Sequence, residues 1–524
     1  MATYASRRPW ALRARALTGA RAGVAASAAG VGLIVAASLL VRAHHLGVGY
    51  WIDEGLSVGI ADRPLLDIPG TLRLDGSPPL YYMLLHVWLG ITGSSSESAT
   101  AALSLLFACL AVPVAFVGTR RLFGARAGWI AAALTALNPF LTQYSQETRM
   151  YALVVLLGTV ATAAFVAAFV MRRRAALPVL AVALAAMVYT HNYALFFTAA
   201  TGLTWLGLVA LAPPEERRAL LRDGLIAYGA VAVLYAAWLP TLLFQTAHTG
   251  APWAERPALS ELIDAPSKLL GEVEQIALLL AAGTGLARVL SRRRLDEEAR
   301  AAVALTAVAV LTLLLAWLAS QVSPAWAMRY LAVGLPPLLL LAAFGLARAE
   351  RLGLVGLAVV ALFWAGFTGP DEKSNVRTVA GSLTPSLRSG DLVISTWPEQ
   401  IPVLSHYLPP GLRYATLWGS VDDLGVTDWR DGVTRLEQTS APVNLRPLLD
   451  ALPEGHRVVL VQPIVYGLQR WSSPWTGLVR VRSEEWSRAI LDDPRFHVSA
   501  IYPPSPYPSH PNAVKATVLL KRGR

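Results

Sequence analysis

Asp53 and Glu54 stand side by side in the run WIDEGLS (51–57), directly after a long apolar stretch. Adjacent carboxylates at such a boundary are not needed for folding and are costly if drawn into hydrocarbon. A carboxylate held at that depth can take a proton from an acceptor hydroxyl, although a solvated loop has the same composition. Four further clusters carry chemistry. Asp75 precedes a Pro-Pro pair, with Tyr81 just beyond, in DGSPPLYYMLLH (75–86); its plain reading is a turn or cap residue. Gln146, Glu147, Arg149 and Tyr151 crowd YSQETRMY (144–151), where Glu147 and Arg149 either pair and snorkel or bind an anion. His191 and Tyr193 lie in THNY (190–193), and a lone histidine is more often structural than a ligand. Arg329 and Tyr330 form the fifth cluster. A guanidinium offers a planar fork of donors suited to phosphate, and the alternative role for Arg329 is headgroup snorkelling.

The elements that position these residues are membrane helices. The chain is 55% hydrophobic and 15% charged, against about 25% charged in soluble domains. Many charge-poor runs approach the ~20 residues that cross a bilayer. About eleven transmembrane helices are expected, near 23–42, 98–119, 127–142, 150–171, 175–190, 193–212, 222–243, 269–290, 300–320, 328–347 and 352–368. The net charge of +11 does not indicate nucleic acid, because the arginines sit in short clusters between apolar runs. There they mark the cytoplasmic side: Arg7 to Arg21, Arg120–Arg126, Arg172–Arg174, PPEERR, SRRR and Arg348–Arg351. All share one side if 79–93 is an interfacial helix rather than a span, closing a first outer loop at 43–78. The N-terminus is then cytoplasmic, and the five polar clusters emerge together on the outer face. Helix middles free of charge argue against a lipid or glycan transporter. The single cysteine, Cys109, excludes an intrachain disulfide.

Composition changes at Pro370. A transmembrane part, 1–369, gives way to an extracytoplasmic soluble α/β domain, 370–524. Strand-like runs at 391–396, 456–465, 496–502 and 513–520 alternate with helical stretches near 399–408 and 483–491. A proline-rich run, YPPSPYPSHP, occupies 502–511. The tryptophans of this domain (397, 418, 429, 471, 475, 486) read first as core or membrane-surface residues, and as stacking platforms for sugar rings second.

The Asp-Glu pair after the first helix, PPLYY, YSQETRMYAL and a late RYL followed by prolines together resemble bacterial membrane glycosyltransferases of the GT-C class. The nearest group is glycosyltransferase family 39, the protein O-mannosyltransferase-like enzymes that include lipid A aminoarabinose transferases. The resemblance spans roughly residues 30–350. It implies a polyprenyl-phosphate sugar donor, reaction on the outer face of a bacterial plasma membrane, and a first-loop acidic residue as base, which falls on Asp53 with Glu54 beside it. Arg149 and Arg329 are then expected at the leaving phosphate and the other cluster residues at the substrates. The acceptor is a cell-envelope glycan, glycolipid or protein. An oligosaccharide ligase of the same architecture is the alternative. No nucleotide is expected. Some relatives hold a divalent metal near the first loop; His44, His45, Asp53, Glu54 and Asp75 lie there without a diagnostic ligand spacing, which leaves a metal open.

Overall fold

The computed structural model describes residues 9–292, 296–467, 471–504 and 512–522, with side chains from residue 23 onward. Arg7, Arg8, Arg293, Arg294 and residues 505–511 of the proline-rich run lie outside the described residues, as do the side chains of Arg13, Arg15 and Arg21. The chain is a multi-pass membrane protein. Among the described residues seven helices are long and apolar enough to span: Gly23–Arg42, Glu97–Phe123, Tyr151–Val170, Ala194–Leu211, Glu272–Leu290, Glu297–Val322 and Met328–Arg348. A bent pair, Pro214–Tyr235 and Leu239–His248, brings the number to eight if it crosses once. The helices at Ala125–Leu137, Leu177–Val188 and Glu350–Trp364 are shorter. They occupy three of the eleven expected positions, but length and composition alone do not make them spans.

Prolines account for the departures in helix boundaries. The stretch expected as one helix over 127–142 breaks at Asn138, whose φ/ψ of −55°/124° is what a residue before proline adopts. Asn138 caps the next short helix, Pro139–Ser145, by accepting from the Leu141 amide at 2.9 Å, and donates to the Leu269 carbonyl at 2.9 Å. The expected helix 222–243 instead bends by 70° before Leu239–His248, where Pro240 removes an amide donor. Met328–Gly334 forms a tight 3₁₀ segment before Leu335–Arg348. The first outer loop, read as mixed polar chain over 43–78, contains two helices, Ile52–Ala61 and Ile68–Asp75; Leu80–Thr92 then fills the position expected for the interfacial helix. Asp53 and Glu54 fall in the first turn of Ile52–Ala61, where the helix dipole favours negative charge.

Several of the basic clusters meet among the described residues. Arg173 donates to the Arg121 carbonyl, Arg126 to that of Glu350, and Arg348 pairs with Glu298.

Beyond residue 370 the chain builds a six-stranded mixed sheet from β1 (Leu392–Ser395), β2 (Arg413–Thr416), β3 (Gly419–Ser420), β4 (Arg457–Pro463), β5 (Phe496–Tyr502) and β6 (Val514–Lys521). Its order is β3-β2-β1-β4-β6-β5, with β2, β1 and β4 parallel and the other pairings antiparallel. Its hydrophobic core takes in Tyr50, Ile52, Leu56 and Val58 of the first loop. The contact is close because Gly55 and Gly59, one turn apart, face Val403 and the Gly425 backbone. A Cβ on either would lie 2.5 Å from the nearest atom.

Glycine plays the same part inside the bundle. A Cβ on Gly285 would lie 1.9 Å from the Gly345 carbonyl oxygen, so Gln275–Leu290 and Leu335–Arg348 touch backbone to backbone. Gly285→Val forces them apart and is expected to cost about 1–3 kcal/mol, the usual range for overpacking; thermal unfolding in detergent measures it.

Candidate active site

Asp53, on the first turn of Ile52–Ala61, faces two guanidiniums brought from distant segments. Its Oδ2 lies 3.2 Å from Arg329 Nε and 3.9 Å from Arg149 Nε. These are charge contacts without hydrogen bonds. Asp53 Oδ2, Arg149 Nε and Arg329 Nε are each buried with no hydrogen-bond partner in the protein. Both arginines are otherwise firmly held. Arg149 Nη1 donates to the Ser57 hydroxyl (3.1 Å), the Tyr82 hydroxyl (3.2 Å) and the Asp53 carbonyl (3.3 Å). Arg329 projects from the 3₁₀ segment among three aromatic faces, its guanidinium carbon 5.0 Å from the Trp253 ring and 5.2 Å from those of Trp51 and Tyr330. Such faces attract a cation while excluding water.

Glu54, its neighbour in sequence, points the other way. It is fully buried, with Oε2 2.7 Å from Lys373 Nζ and Oε1 accepting from the Thr148 amide at 2.9 Å. Lys373 also donates to the Gln146 carbonyl at 3.2 Å. Burial raises the Glu54 carboxyl, and Lys373 opposes that. Next to this pair Glu147 is buried too; burial and then the Glu54 charge push its carboxyl up to about 8, so near neutral pH it is mostly an uncharged acid. Gln146 bridges the Arg42 and Thr368 carbonyls at 3.0 and 2.7 Å.

The Asp53 carboxylate looks into a cavity of about 500 Å³. Asp75, Arg149, His191, Tyr193, Arg329 and Tyr330 line it as well. Asn192 Nδ2 donates to the Gly76 carbonyl at 3.0 Å, which joins the THNY segment to the Asp75 turn. Desolvation lifts the Asp75 carboxyl above the ordinary range. His191 is packed against Tyr330, ring centroids 4.7 Å apart, and its Nδ1 accepts from the Tyr193 amide at 3.1 Å. Burial, then the charges of Arg149 and Arg329, depress its imidazole to about 3, so it is neutral at physiological pH. The tail closes the far wall with Trp397, Glu399, Trp429, Thr476 and Asn512. Glu399 accepts from Trp475 Nε1 at 2.8 Å through one oxygen, while the other is buried without a partner; burial raises its carboxyl to about 7.

Of the residues in the five polar clusters expected at the site, seven share this cavity: Asp53, Asp75, Arg149, His191, Tyr193, Arg329 and Tyr330. Glu54, Tyr81, Gln146, Glu147 and Tyr151 do not line it. Tyr81 is buried against Ser104, hydroxyls 2.9 Å apart, because its side of the helix packs inward. Tyr151 supports from behind, its ring 5.8 Å from that of His191. Sequence reasoning missed Tyr82, Ser57, Lys373 and Glu399. Tyr82 carried a signal, one of two tyrosines after a Pro-Pro pair; Lys373 and Glu399 carried none. Among the tail tryptophans, Trp475 and Trp486 are fully buried core, as first expected, whereas Trp397 and Trp429 reach the cavity.

The donor set does not suit a divalent metal. Asp53 faces two arginines, Glu54 a lysine, and His45 and Asp371 pair loosely at 3.7 Å. No group of three or more His, Cys, Asp or Glu among the described residues is arranged for one.

No protein-family model and no curated relative matches the chain. Solved structures do. ArnT from Cupriavidus metallidurans in the apo state superposes with a TM-score of 0.62 at 15% identity, over 94% of this chain and 98% of that one. The same protein bound to undecaprenyl phosphate gives 0.60 at 13% identity and the same coverage. Arabinofuranosyltransferase AftD from Mycobacteria gives 0.52 at 16% identity, over 95% of this chain and 42% of that one. These neighbours are GT-C glycosyltransferases, and the likeness at such identities is one of fold.

Two outcomes follow from the buried carboxyls. Lys373→Met strands the Glu54 charge and is expected to cost about 3–5 kcal/mol, while adding Glu54→Gln recovers most of it; thermal unfolding of the four proteins of the cycle measures this. For Glu399 the folded state holds its proton more tightly than the unfolded chain does. Its stabilising contribution is therefore complete below about pH 4.5 and lost as pH rises through about 7. Glu399→Gln should match the parent at pH 4 and exceed it by up to about 3 kcal/mol at pH 8, read from unfolding midpoints at both pH values.

Proposed function

We propose that this protein transfers a sugar from a polyprenyl-phosphate donor to an acceptor hydroxyl, on the outer face of a bacterial plasma membrane. The observation that carries the reading is that Asp53, Arg149 and Arg329 line one cavity and meet by charge alone, Asp53 Oδ2, Arg149 Nε and Arg329 Nε each lacking a hydrogen-bond partner. Two fixed cations and one carboxylate with unused capacity suit a reaction in which a phosphate leaves and a hydroxyl loses its proton. The ArnT fold neighbour was solved with undecaprenyl phosphate, which supports a lipid phosphate as the leaving group.

In this mechanism Asp53 takes the proton of the acceptor hydroxyl while its oxygen bonds to the anomeric carbon. The bond from that carbon to the phosphate oxygen breaks, and the electron pair departs with the lipid phosphate. Attack from the opposite side inverts the anomeric centre. Arg149 and Arg329 stabilise the charge gathering on the phosphate, and donors fixed in advance contribute much of such a rate gain. Neutral His191 adds no positive charge, so the leaving group meets two cations, a number that favours a monophosphate over a pyrophosphate. Glu54 serves by holding Lys373. Trp397 and Trp429 supply flat apolar faces for a sugar ring of the acceptor. The first 369 residues act as the catalytic membrane part, N-terminus cytoplasmic, and residues 370–524 as an extracytoplasmic domain.

Asp53→Asn is expected to lower transfer from a polyprenyl-phosphate sugar at least about 100-fold with donor binding retained. Arg329→Ala should weaken donor binding more than acceptor binding. Transfer of radiolabel in detergent and equilibrium binding of the donor check both; undiminished transfer by Asp53→Asn removes it as the base.

A further inference from the structure

A second cavity, of about 560 Å³, lies between the helices Glu97–Phe123, Tyr151–Phe165 and Leu177–Val188. It has nothing to do with the site around Asp53. Thr100, at the start of the first of these helices, bonds Tyr50 and Thr148 beside that site, each at 2.7 Å. Arg121 is 21 residues further on, about 30 Å along the axis. The groove walls are apolar, with Pro113, Val117, Val160, Ala163, Ala164 and Val179 among them. Only its rim is charged, by Arg121 and Arg173.

The backbone shapes this rim. The helix from Tyr151 ends in a π turn, Val166–Val170, and the chain reverses at Arg172, whose φ of 58° is rare for a residue with a side chain. Arg173 then donates to the Arg121 carbonyl at 3.1 Å, which brings its guanidinium to the Arg121 backbone at the rim that both residues line. Both are exposed, and neither has a carboxylate partner among the described residues. Other arginines at this end do have one: Arg174 pairs with Asp223 at 2.8 Å, and Arg348 with Glu298.

We propose that this groove binds an anionic glycerophospholipid, with the phosphate between Arg121 and Arg173 and an acyl chain along the apolar wall. Two uncompensated cations at the mouth of a slot between membrane helices complement an amphiphile that is negative at one end and hydrocarbon at the other. A zwitterionic lipid fills the slot but leaves the charge unmatched, and a free phosphate matches the charge but leaves the slot empty.

The test uses the full chain, purified in an uncharged detergent and stripped of lipid, with binding read by native mass spectrometry. Dioleoyl phosphatidylglycerol should bind at least about tenfold more tightly than dioleoyl phosphatidylcholine. The double variant Arg121→Gln/Arg173→Gln should erase that preference while still binding either lipid weakly. Ala163→Phe, which fills the groove and leaves the arginines in place, should weaken both. Glycerol phosphate without acyl chains should fail to compete. Equal binding of the two lipids by the parent protein overturns the proposal, as does an unchanged preference in the double variant or effective competition by glycerol phosphate. Because the readout is lipid retention, the result is independent of the sugar-transfer reading.

Discussion

The Glu54–Lys373 ion pair is the junction on which the site's geometry depends. A carboxylate removed from water must find a cation and further hydrogen bonds, and Glu54 finds Lys373 and the Thr148 amide. That requirement draws together three segments remote in sequence: the helix after the first span, the 144–151 turn and the start of the tail. Once they are joined, Asp53 is turned to the opposite side of its helix turn and Arg149 is set below it. The same turn thus carries one carboxylate hydrogen-bonded to a lysine and an amide and one that meets two arginines by charge alone. Glu147, buried and next to the Glu54 charge, is mostly protonated instead.

The two ends of the bundle use arginine differently. At one end most guanidiniums are spent on carbonyls and carboxylates of neighbouring helices, closing the bundle. At the other, Arg149 and Arg329 are clamped through hydroxyls and aromatic faces, and their Nε groups meet Asp53 by charge alone, without a hydrogen bond. Two guanidiniums share one carboxylate there, which leaves the cluster with a net positive charge held in rigid placement.

How much of this was legible follows from what kind of signal each residue leaves. Arg149 and Arg329 stood out because they break the charge asymmetry of the loops, and Asp53 because an acid at the end of an apolar run is costly. β1, β4, β5 and β6 were readable from their runs of apolar and β-branched residues, but β2, RYAT, and β3, only two residues long, carry no pattern of their own. The breaks at Asn138-Pro139 and Leu239-Pro240 were written in the sequence, yet apolar run length ran straight through them. Lys373 and Glu399 were beyond reach in principle: their importance comes from partners more than 70 residues away, and local periodicity holds no record of such pairings. The division between Asp53 and Glu54 was hidden for a related reason, since which acid faces the cavity depends on where Lys373 arrives.

The tail's share in the cavity has a bearing on biosynthesis. Chains emerge N-terminus first, so the membrane helices are complete before Lys373, Trp397, Glu399 and Trp429 leave the ribosome. Until then Glu54 has no counter-charge and the cavity has no far wall. A nascent or prematurely terminated chain therefore holds the Asp53–Arg329 contact in an unfinished chamber. The chamber closes only once the tail that carries its far wall has been made.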